Sequence, residues 1–307
     1  MNIYFFFIKL CSFLYYFLIS AKEDLKRLGK GTTFTELPTQ SLRDYKILIP
    51  SKEEQQTIAT YLDQKTKEID DTIAKKQRLI ELLEEERKAT INEAVTKGLN
   101  PNVKMKDSGI KWIGEIPEHW EIKKLKYLAP LIRNKNDNNI DIIGLENIEG
   151  GTGKLIPDNE SNIGGESYLF KKNDVLFNKL RPYLTKVYLA KNDGACVGEL
   201  LILRPQKRVN SLFLFYRLIS SKFIEIVNNS TYGTKMPRAN WDFVGNLKIA
   251  LPDIREQNEI AKFISLNTDR INSSVKKIQN QIELLKEYRQ SLIFEAVTGK
   301  IDVREEV

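Results

Sequence analysis

The feature that most constrains this chain is an internal repeat at an offset of 202 residues. Residues 46–98 align without a gap with residues 248–300, and 22 of the 53 aligned pairs are identical. The clearest block is ELLEEERKATINEAVTKG at 81–98, which recurs as ELLKEYRQSLIFEAVTGK at 283–300. Two unrelated charged helices would rarely share so many residues at one spacing. The chain is therefore predicted to contain two structurally similar units.

Both copies predict a long helix that needs a helical partner. Neither contains proline or an interior glycine, from about 53 to 97 and from about 254 to 298, and about 45 residues make a rod of about 65–70 Å. Apolar residues recur three and four apart, as in a coiled-coil seam, and the obvious partner of each helix is the other copy. The predicted seam contains Ile69, Ile73, Ile80, Leu83, Ile271, Val275, Ile282 and Leu285.

Arg87 and Arg289 occupy the same seam position in the two copies. One interpretation is that each side chain extends along the seam and places its charge in water. The other is that each pairs with a glutamate at the edge of the seam and fixes the register of the two helices.

The segment between the helices predicts one compact domain. Residues 100–125 are punctuated by glycine and proline, and we interpret them as a linker anchored by Trp112 and Trp120. Over 122–250, short β-rich runs such as DIIGLENI, DVLFNKL and KVYLA lie between turn residues. An amphipathic helix is predicted at about 210–228. Together these predict a mixed domain of about 125 residues.

Composition and motifs argue against several classes of function. The only histidine is His119, and Cys11 and Cys196 lie far apart, so a disulfide framework, a zinc site and a catalytic triad all lack residues. Few cysteines also suit a reducing cytoplasm. The GGTGK run at 150–154 lacks the first glycine and the final Ser/Thr of a P-loop. We expect no metal site, and an enzyme acting on acidic substrates has no positive support.

Two basic segments are the candidates for ligand binding. The net charge of +7 fits a polyanionic partner without requiring one. Lys and Arg with small polar residues on loops are suited to phosphate contacts, and Arg is the commonest reader of guanine. A solvated basic surface is the alternative. The predicted DNA-binding residues lie within 177–191 and 230–241: Lys179, Arg181, Tyr183, Lys186, Tyr232, Thr234, Lys235 and Arg238.

The N-terminal segment MNIYFFFIKLCSFLYYFLIS is apolar over about 20 residues, which suggests a membrane span or a signal peptide. Against this, Lys9 lies in its middle, and FLYYFLISAKEDL resembles LFYRLISSKFIEI at 214–226. The second copy contains Arg217 and Lys222 and cannot span a membrane. We expect residues 1–28 to be mostly a soluble helix, with no membrane partner. A membrane-anchored coiled-coil scaffold is the alternative.

Taken together, these residues resemble the specificity subunit of type I restriction–modification enzymes. The resemblance rests first on the repeat, in which a long helix closes each unit, and on IPSKEEQ at 49–55 with the looser LPDIREQ at 251–257. It rests further on GIKWIGEIPEHWEIKKLKYL at 109–128, which is similar to the start of the family's target-recognition domain. DVLFNKLRPYLTKV at 174–187 and YGTKMPR at 232–238 are typical of such domains.

The resemblance implies an α+β fold. One complete target-recognition domain would be combined with two long helices that form an antiparallel, coiled-coil-like spacer. About 100 residues of an earlier unit would be absent, so the chain would be N-terminally truncated. The implied domains are a remnant of a first recognition domain at 1–50, a spacer helix at 51–99, a second recognition domain at 100–252 and a spacer helix at 253–307.

The resemblance also implies a division of labour in the cytoplasm. The chain would read half of a bipartite sequence in double-stranded DNA, perform no catalysis and hold no cofactor. Its helices would set the gap between half-sites and dock methyltransferase subunits, which bring S-adenosylmethionine. A motor-nuclease subunit would bring ATP and Mg. The chain would be a truncated or silent allele, or a half-subunit that forms a homodimer through its helices and reads a symmetric, gapped target.

Overall fold

The computed structural model describes residues 3–30, 36–136, 142–156 and 166–304, with side chains from residue 12 onward. The chain divides into two compact units. The helical unit comprises Met1–Leu83 with Asn272–Val307, and the mixed unit comprises Glu84–Ile271. Each long helix contributes one part to each unit. The helices are α1 (Ile3–Ser20), α2 (Lys22–Arg27), α3 (Thr39–Arg43), α4 (Lys52–Lys97), α5 (Leu125–Leu128), α6 (Ser211–Ile219), α7 (Ser221–Asn229), α8 (Trp241–Asn246) and α9 (Ile254–Val297).

The two predicted long helices are confirmed as α4 and α9, and local chemistry explains their bounds. At the start of α4, Glu54 accepts a hydrogen bond from the Ser51 backbone N–H at 3.0 Å, and the Ser51 hydroxyl accepts from the Glu54 N–H at 3.3 Å. This reciprocal pair is a capping box. Each helix is followed by a glycine with positive φ, Gly98 at +77° and Gly299 at +71°. A left-handed residue at this position ends a helix at little steric cost.

Within the helical unit the long helices run antiparallel. Ile80 of α4 packs in one cluster with Ile278 and Ile282 of α9, whereas Ile69, earlier in α4, shares a cluster with Leu292, later in α9. Residue numbers therefore rise along one helix as they fall along the other, which confirms the antiparallel pairing. Of the predicted seam residues in the helical unit, Ile69, Ile80 and Ile282 are buried, and Ile73, Leu83, Val275 and Leu285 are half-buried. The eighth, Ile271, is buried and belongs to the mixed unit.

The matched arginines of the seam are in different surroundings. Arg289 forms an ion pair with Asp70 across the two helices, with a nitrogen–oxygen distance of 3.0 Å. This agrees with the interpretation in which the arginine fixes the register, although the partner is an aspartate and not a glutamate. Arg87 is half-buried in the mixed unit.

The N-terminal segment is helical, as expected, and it is part of the core of the helical unit. Phe13, Tyr16 and Phe17 of α1 are buried in the same cluster as Ile58 and Leu62 of α4. The Tyr16 hydroxyl donates to Asp63 Oδ1 at 2.9 Å. Burial raises the pKa of Tyr16 to about 12. Among the described residues, no helix combines the length and the apolar character needed to cross a membrane.

The mixed unit contains all of the described strands, in four small sheets. Strands β1 and β2 form a hairpin, β11 pairs with β3, the order β4-β10-β7-β8 forms a four-stranded sheet, and β5-β9-β6 forms a sheet in which β5 and β9 are parallel. The strands are β1 (Met105–Asp107), β2 (Glu115–Pro117), β3 (Glu121–Lys124), β4 (Leu131–Ile132), β5 (Ile142–Ile143), β6 (Ser167–Phe170), β7 (Val175–Asn178), β8 (Val187–Leu189), β9 (Gly194–Val197), β10 (Leu200–Leu203) and β11 (Lys248–Leu251).

Two local predictions differ from the structure. The predicted linker at 100–125 contains β1, β2 and β3, and Trp120 is only 1% exposed in the main core. The predicted helix at 210–228 is two helices, because the backbone of Ser220 is extended at φ −61° and ψ 140°. The Ser220 hydroxyl donates to the carbonyl of Arg217 at 2.7 Å. The Ser221 N–H donates to Asn92 Oδ1 at 2.7 Å. These two bonds satisfy backbone groups at the break.

Candidate nucleic-acid interface

The two basic segments predicted to bind DNA lie side by side. We call residues 179–186, between β7 and β8, the first basic loop, and residues 230–240, between α7 and α8, the second basic loop. Arg181 N–H donates to the carbonyl of Pro237 at 2.7 Å, and Ala239 N–H donates to the carbonyl of Lys179 at 2.8 Å. The second loop is also closed on itself, because Tyr232 and Arg238 exchange two backbone hydrogen bonds. The loops therefore form one connected surface.

A buried amide holds the first basic loop in an unusual conformation. Asn178, the last residue of β7, is fully buried and donates from Nδ2 to the carbonyls of Leu180 at 2.8 Å and Arg181 at 3.2 Å. Arg181 has φ +52°, and Thr185, after a 3-10 turn at Pro182–Leu184, has φ +51°. Left-handed conformations cost energy for residues with a Cβ and concentrate at functional sites.

Six of the eight predicted residues lack a close side-chain partner among the described residues, and of these Lys179 and Arg181 are half-buried. Tyr183 and Tyr232 are 52% and 63% exposed, and Thr234 is also exposed. The ammonium groups of Lys179 and Lys235 form no ion pair or hydrogen bond with any residue that the structure describes. The sixth residue is Arg181, whose Nη2 donates weakly to the carbonyl of Lys235 at 3.4 Å.

The remaining two predicted residues already have partners. Lys186 donates its ammonium to the carbonyl of Leu145 at 2.7 Å and is half-buried. Arg238 forms an ion pair with Glu199, with a nitrogen–oxygen distance of 2.6 Å. The backbone carbonyl of the same glutamate accepts from Lys179 N–H at 3.0 Å. Lys186 and Arg238 thus hold the loops in place, and a ligand anion would have to compete for them.

Sequence reasoning missed the residues that support these loops. Glu199 had no sequence signal, because single carboxylates are common and their partners depend on the fold. The GGTGK run at 150–154 was considered only as a possible P-loop, and its structural role was not predicted. Gly151 N–H donates to the carbonyl of Thr185 at 2.9 Å. A Cβ on Gly150 would collide with the carbonyl of Leu184, and one on Gly153 would lie 2.6 Å from the carbonyl of Val187. The glycines allow this turn to pack against the first basic loop.

The side chains of this surface are suited to binding an anionic ligand. Two ammonium groups, one guanidinium and two exposed phenol rings suit contacts with phosphates and bases. The described residues contain no group of three His, Cys, Asp or Glu that could hold a metal ion. Cys196 is buried, and burial raises the pKa of its thiol to about 12. A thiol with such a pKa is not a nucleophile at neutral pH. His119 bonds to Glu256, at 2.8 Å.

Comparison with known proteins identifies the family that the sequence resembles. A family model described as "Type I restriction modification DNA specificity domain" matches residues 4–83 and 117–284. The chain is 23% identical over 312 residues to the type I restriction enzyme EcoDI specificity subunit of Escherichia coli, covering 94% of this chain and 70% of the relative. It is 28% identical over 317 residues to the MjaVIII specificity subunit of Methanocaldococcus jannaschii, covering 95% and 70%.

Solved structures share the fold. A chain from a study of complex assembly and conformational transition of the type I R-M system superposes with a TM-score of 0.71 at 14% identity, covering 93% of this chain and 70% of that one. The HsdS subunit from Thermoanaerobacter tengcongensis superposes with a TM-score of 0.54 at 16% identity, covering 94% and 70%.

Proposed function

This chain belongs to the family of type I restriction modification DNA specificity domains, and from that premise we propose that it is the DNA-recognition component of a restriction–modification complex. The observation that supports this most is the pair of basic loops, which are joined by backbone hydrogen bonds and held by the buried side chain of Asn178. A surface that is fixed before the ligand arrives loses little conformational entropy on binding, which favours specific recognition.

We assign separate roles to the residues of the loops. The ammonium groups of Lys179 and Lys235 have no partner in the described part of the chain. They would contact phosphates, which position the protein on the duplex without reading sequence. Arg181 presents a guanidinium from a constrained backbone, which suits bidentate contact with guanine. Tyr183 and Tyr232 offer exposed rings for apolar or hydrogen-bonding contact with base edges or sugars.

The long antiparallel helices would serve as spacer and dock. Paired helices of this length would act as a stiff spacer, and a spacer between two recognition surfaces would set the distance between two half-sites. Methyltransferase subunits docked there would supply S-adenosylmethionine, and a motor-nuclease subunit would supply ATP and Mg. This chain would contribute no catalytic group. Homodimerisation through the helices would pair two copies of one recognition surface and select a symmetric, gapped target.

Methylation sequencing of DNA from cells that express this chain with its cognate methyltransferase subunit tests the proposal. We expect a new, gapped methyladenine motif. A palindromic motif would indicate a homodimer, and an asymmetric one would indicate pairing with a different specificity chain. Absence of any new motif, with both proteins expressed and associated, would contradict the proposal.

Substitutions in the loops then test the roles on a duplex that contains the motif. Arg181→Ala should weaken specific binding by about 1–3 kcal/mol and relax the preference at one base pair. Lys235→Ala should weaken specific and non-specific binding alike, and lower the salt slope of log K by about one. Lys277→Ala, an exposed lysine of α9 in the helical unit, is the control. Unchanged specific affinity in both loop variants would remove these loops from the interface.

A further inference from the structure

The starts of the two long helices are built alike but covered differently. In the mixed unit, β11 leads into α9 and pairs antiparallel with β3, from Lys248 opposite Lys124 to Leu251 opposite Glu121. The aligned residues in the helical unit are 46–49, with the sequence KILI, and they lead into α4 in the same way. Among the described residues, no strand pairs with this segment, which we call the open edge. Its three apolar residues are exposed: Ile47 by 37%, Leu48 by 61% and Ile49 by 75%.

In the mixed unit, Trp120 packs over the start of α9 and the end of α4, next to the strand pair β3–β11. Trp120 Nε1 donates to Glu256 Oε2, in the first turn of α9, at 3.0 Å. Its ring lies against Gly98, the glycine that ends α4, since a Cβ there would be 3.3 Å from the ring and 3.9 Å from Pro117. The segment that contains β2 and β3 therefore covers the start of one long helix and the end of the other.

The helical unit has the same receptor groups without that cover. Glu54 aligns with Glu256 but bonds to its own cap residue, Ser51. Gly299 ends α9 as Gly98 ends α4, and a Cβ on it would meet nothing within 4 Å. Between these positions lies a cavity of about 410 Å³. Its apolar lining includes Ile49, Pro50, Ile58, Ile301 and Val303.

We propose that the open edge and this cavity bind an extended segment of a separate polypeptide that has the chemistry of residues 115–124 of this chain. That chemistry is a proline, a tryptophan three residues later and a short β-strand. The strand would pair with residues 46–49 by β-augmentation, in which main-chain hydrogen bonds supply affinity. The tryptophan would fill the cavity, and its indole N–H would donate to Glu54. Within residues 1–307, the segment that carries this chemistry, 115–124, is engaged in the mixed unit.

Physical considerations favour an occupant of this kind over open solvent. An exposed row of unpaired backbone groups flanked by three apolar side chains is a template for strand addition, and proteins usually cover or charge such an edge. Here the edge carries Lys46 only at its first position. A tryptophan that enters a cavity is a common anchor of protein interfaces. This cavity is lined by apolar side chains together with the charged groups of Glu54, Asp302 and Arg304.

A synthetic peptide with the sequence of residues 111–126, KWIGEIPEHWEIKKLK, tests this interaction with the full chain. Fluorescence anisotropy of the labelled peptide should show saturable binding with one site per chain. Alanine at the peptide position that corresponds to Trp120 should weaken binding at least about 30-fold, as for an interface hot spot. Ile49→Arg in the protein should weaken it comparably, and since Ile49 is 75% exposed the variant should fold. Leu284→Arg, at a residue 64% exposed on α9, is the matched control and should bind normally.

Three results would overturn the inference: no saturable binding, equal binding of a scrambled peptide, or equal binding by Ile49→Arg. A concentration-dependent dimer that Ile49→Arg abolishes and the peptide leaves intact would assign the open edge to a second copy of this chain instead. DNA affinity is a separate readout, because the basic loops belong to the mixed unit. Ile49→Arg should leave it unchanged, so failure here is distinguishable from failure of the proposed DNA recognition.

Discussion

The helical and mixed units use the same residues to begin their long helices, although their surroundings differ. In the helical unit, Gln55 is buried and donates from Nε2 to the carbonyl of Pro50 at 2.8 Å. In the mixed unit, Gln257 is buried and donates to the carbonyl of Pro252 at 2.9 Å. A proline that precedes a helix leaves a carbonyl to be satisfied, and a glutamine five residues later satisfies it in both copies. The repeated residues thus maintain the scaffold.

The same correspondence extends to the helices that pack on the scaffold. Tyr16 of α1 has a hydroxyl contact of 3.2 Å with Thr66 of α4. Tyr216 of α6, at an offset of 200, forms a hydrogen bond with Thr268 of α9, and burial raises its pKa. Ser20 and Ser220 each donate to the carbonyl three residues earlier, at 2.7 Å. The two units therefore pack a broken helix on a long helix in the same way.

One buried position breaks this equivalence. Phe17 of the helical unit corresponds to Arg217 of the mixed unit, and both are buried. The guanidinium of Arg217 has no hydrogen-bond partner among the described residues and lies 5.1 Å from the ring centre of Trp112. The scaffold can accommodate either residue, but only one of them is a buried charge. We therefore expect this position to contribute differently to the stability of the two units.

The largest expected effect comes from truncating Trp120, which covers the helix ends in the mixed unit. Trp120→Ala should lower the free energy of unfolding by about 3–5 kcal/mol, because it leaves a cavity in the core. It also removes the donor to Glu256. Urea denaturation followed by circular dichroism measures the change. Tyr127→Ala, at a residue 56% exposed, is the control and should change stability little. A loss below about 1 kcal/mol for Trp120→Ala would mean that the cover contributes little.

An intermediate effect of opposite sign should come from Arg217. Arg217→Met should raise the free energy of unfolding by about 1–4 kcal/mol, because a buried, unpaired charge is replaced by an apolar side chain. Burial lowers the pKa of Arg217 from its usual 12.5 to about 10. The unfolded chain holds this proton more tightly than the folded one, so the destabilisation is fully present below about pH 10 and decreases as pH rises above it.

The reciprocal substitution sharpens this test. Phe17→Arg should destabilise the helical unit, because it places a cation at a buried position that is apolar in this unit. Thermal denaturation of both variants at pH 7 compares them directly. If Arg217→Met is destabilising, the stacking of the guanidinium on Trp112 outweighs the cost of burying the charge.

How far the sequence predicts this structure depends on the length scale of each pattern. The helices α4 and α9 follow from 3.5-residue periodicity over more than 40 residues, and the strand near 174–180 follows from a run of apolar residues between turns. The pairing of the basic loops depends on backbone bonds between residues more than 50 positions apart, such as Arg181 and Pro237. No local pattern records such a contact. The partners of Arg238 and Lys186 were beyond sequence reasoning for the same reason.

The smallest expected effect concerns the register of the seam in the helical unit. Asp70 is 54% exposed and Arg289 is 28% exposed, so solvent screens their ion pair. A double-mutant cycle with Asp70→Asn and Arg289→Gln should give a coupling of about 0.2–1 kcal/mol at low salt, and less at 1 M NaCl. The control cycle uses Lys76 and Gln281. The Lys76 ammonium donates to the neutral amide oxygen of Gln281 at 2.8 Å across the same seam. Because that bond contains one charge and not two, its coupling should depend less on salt. Equal salt dependence in the two cycles would show that the Asp70–Arg289 pair has no specific electrostatic role, and that the apolar seam alone maintains the register.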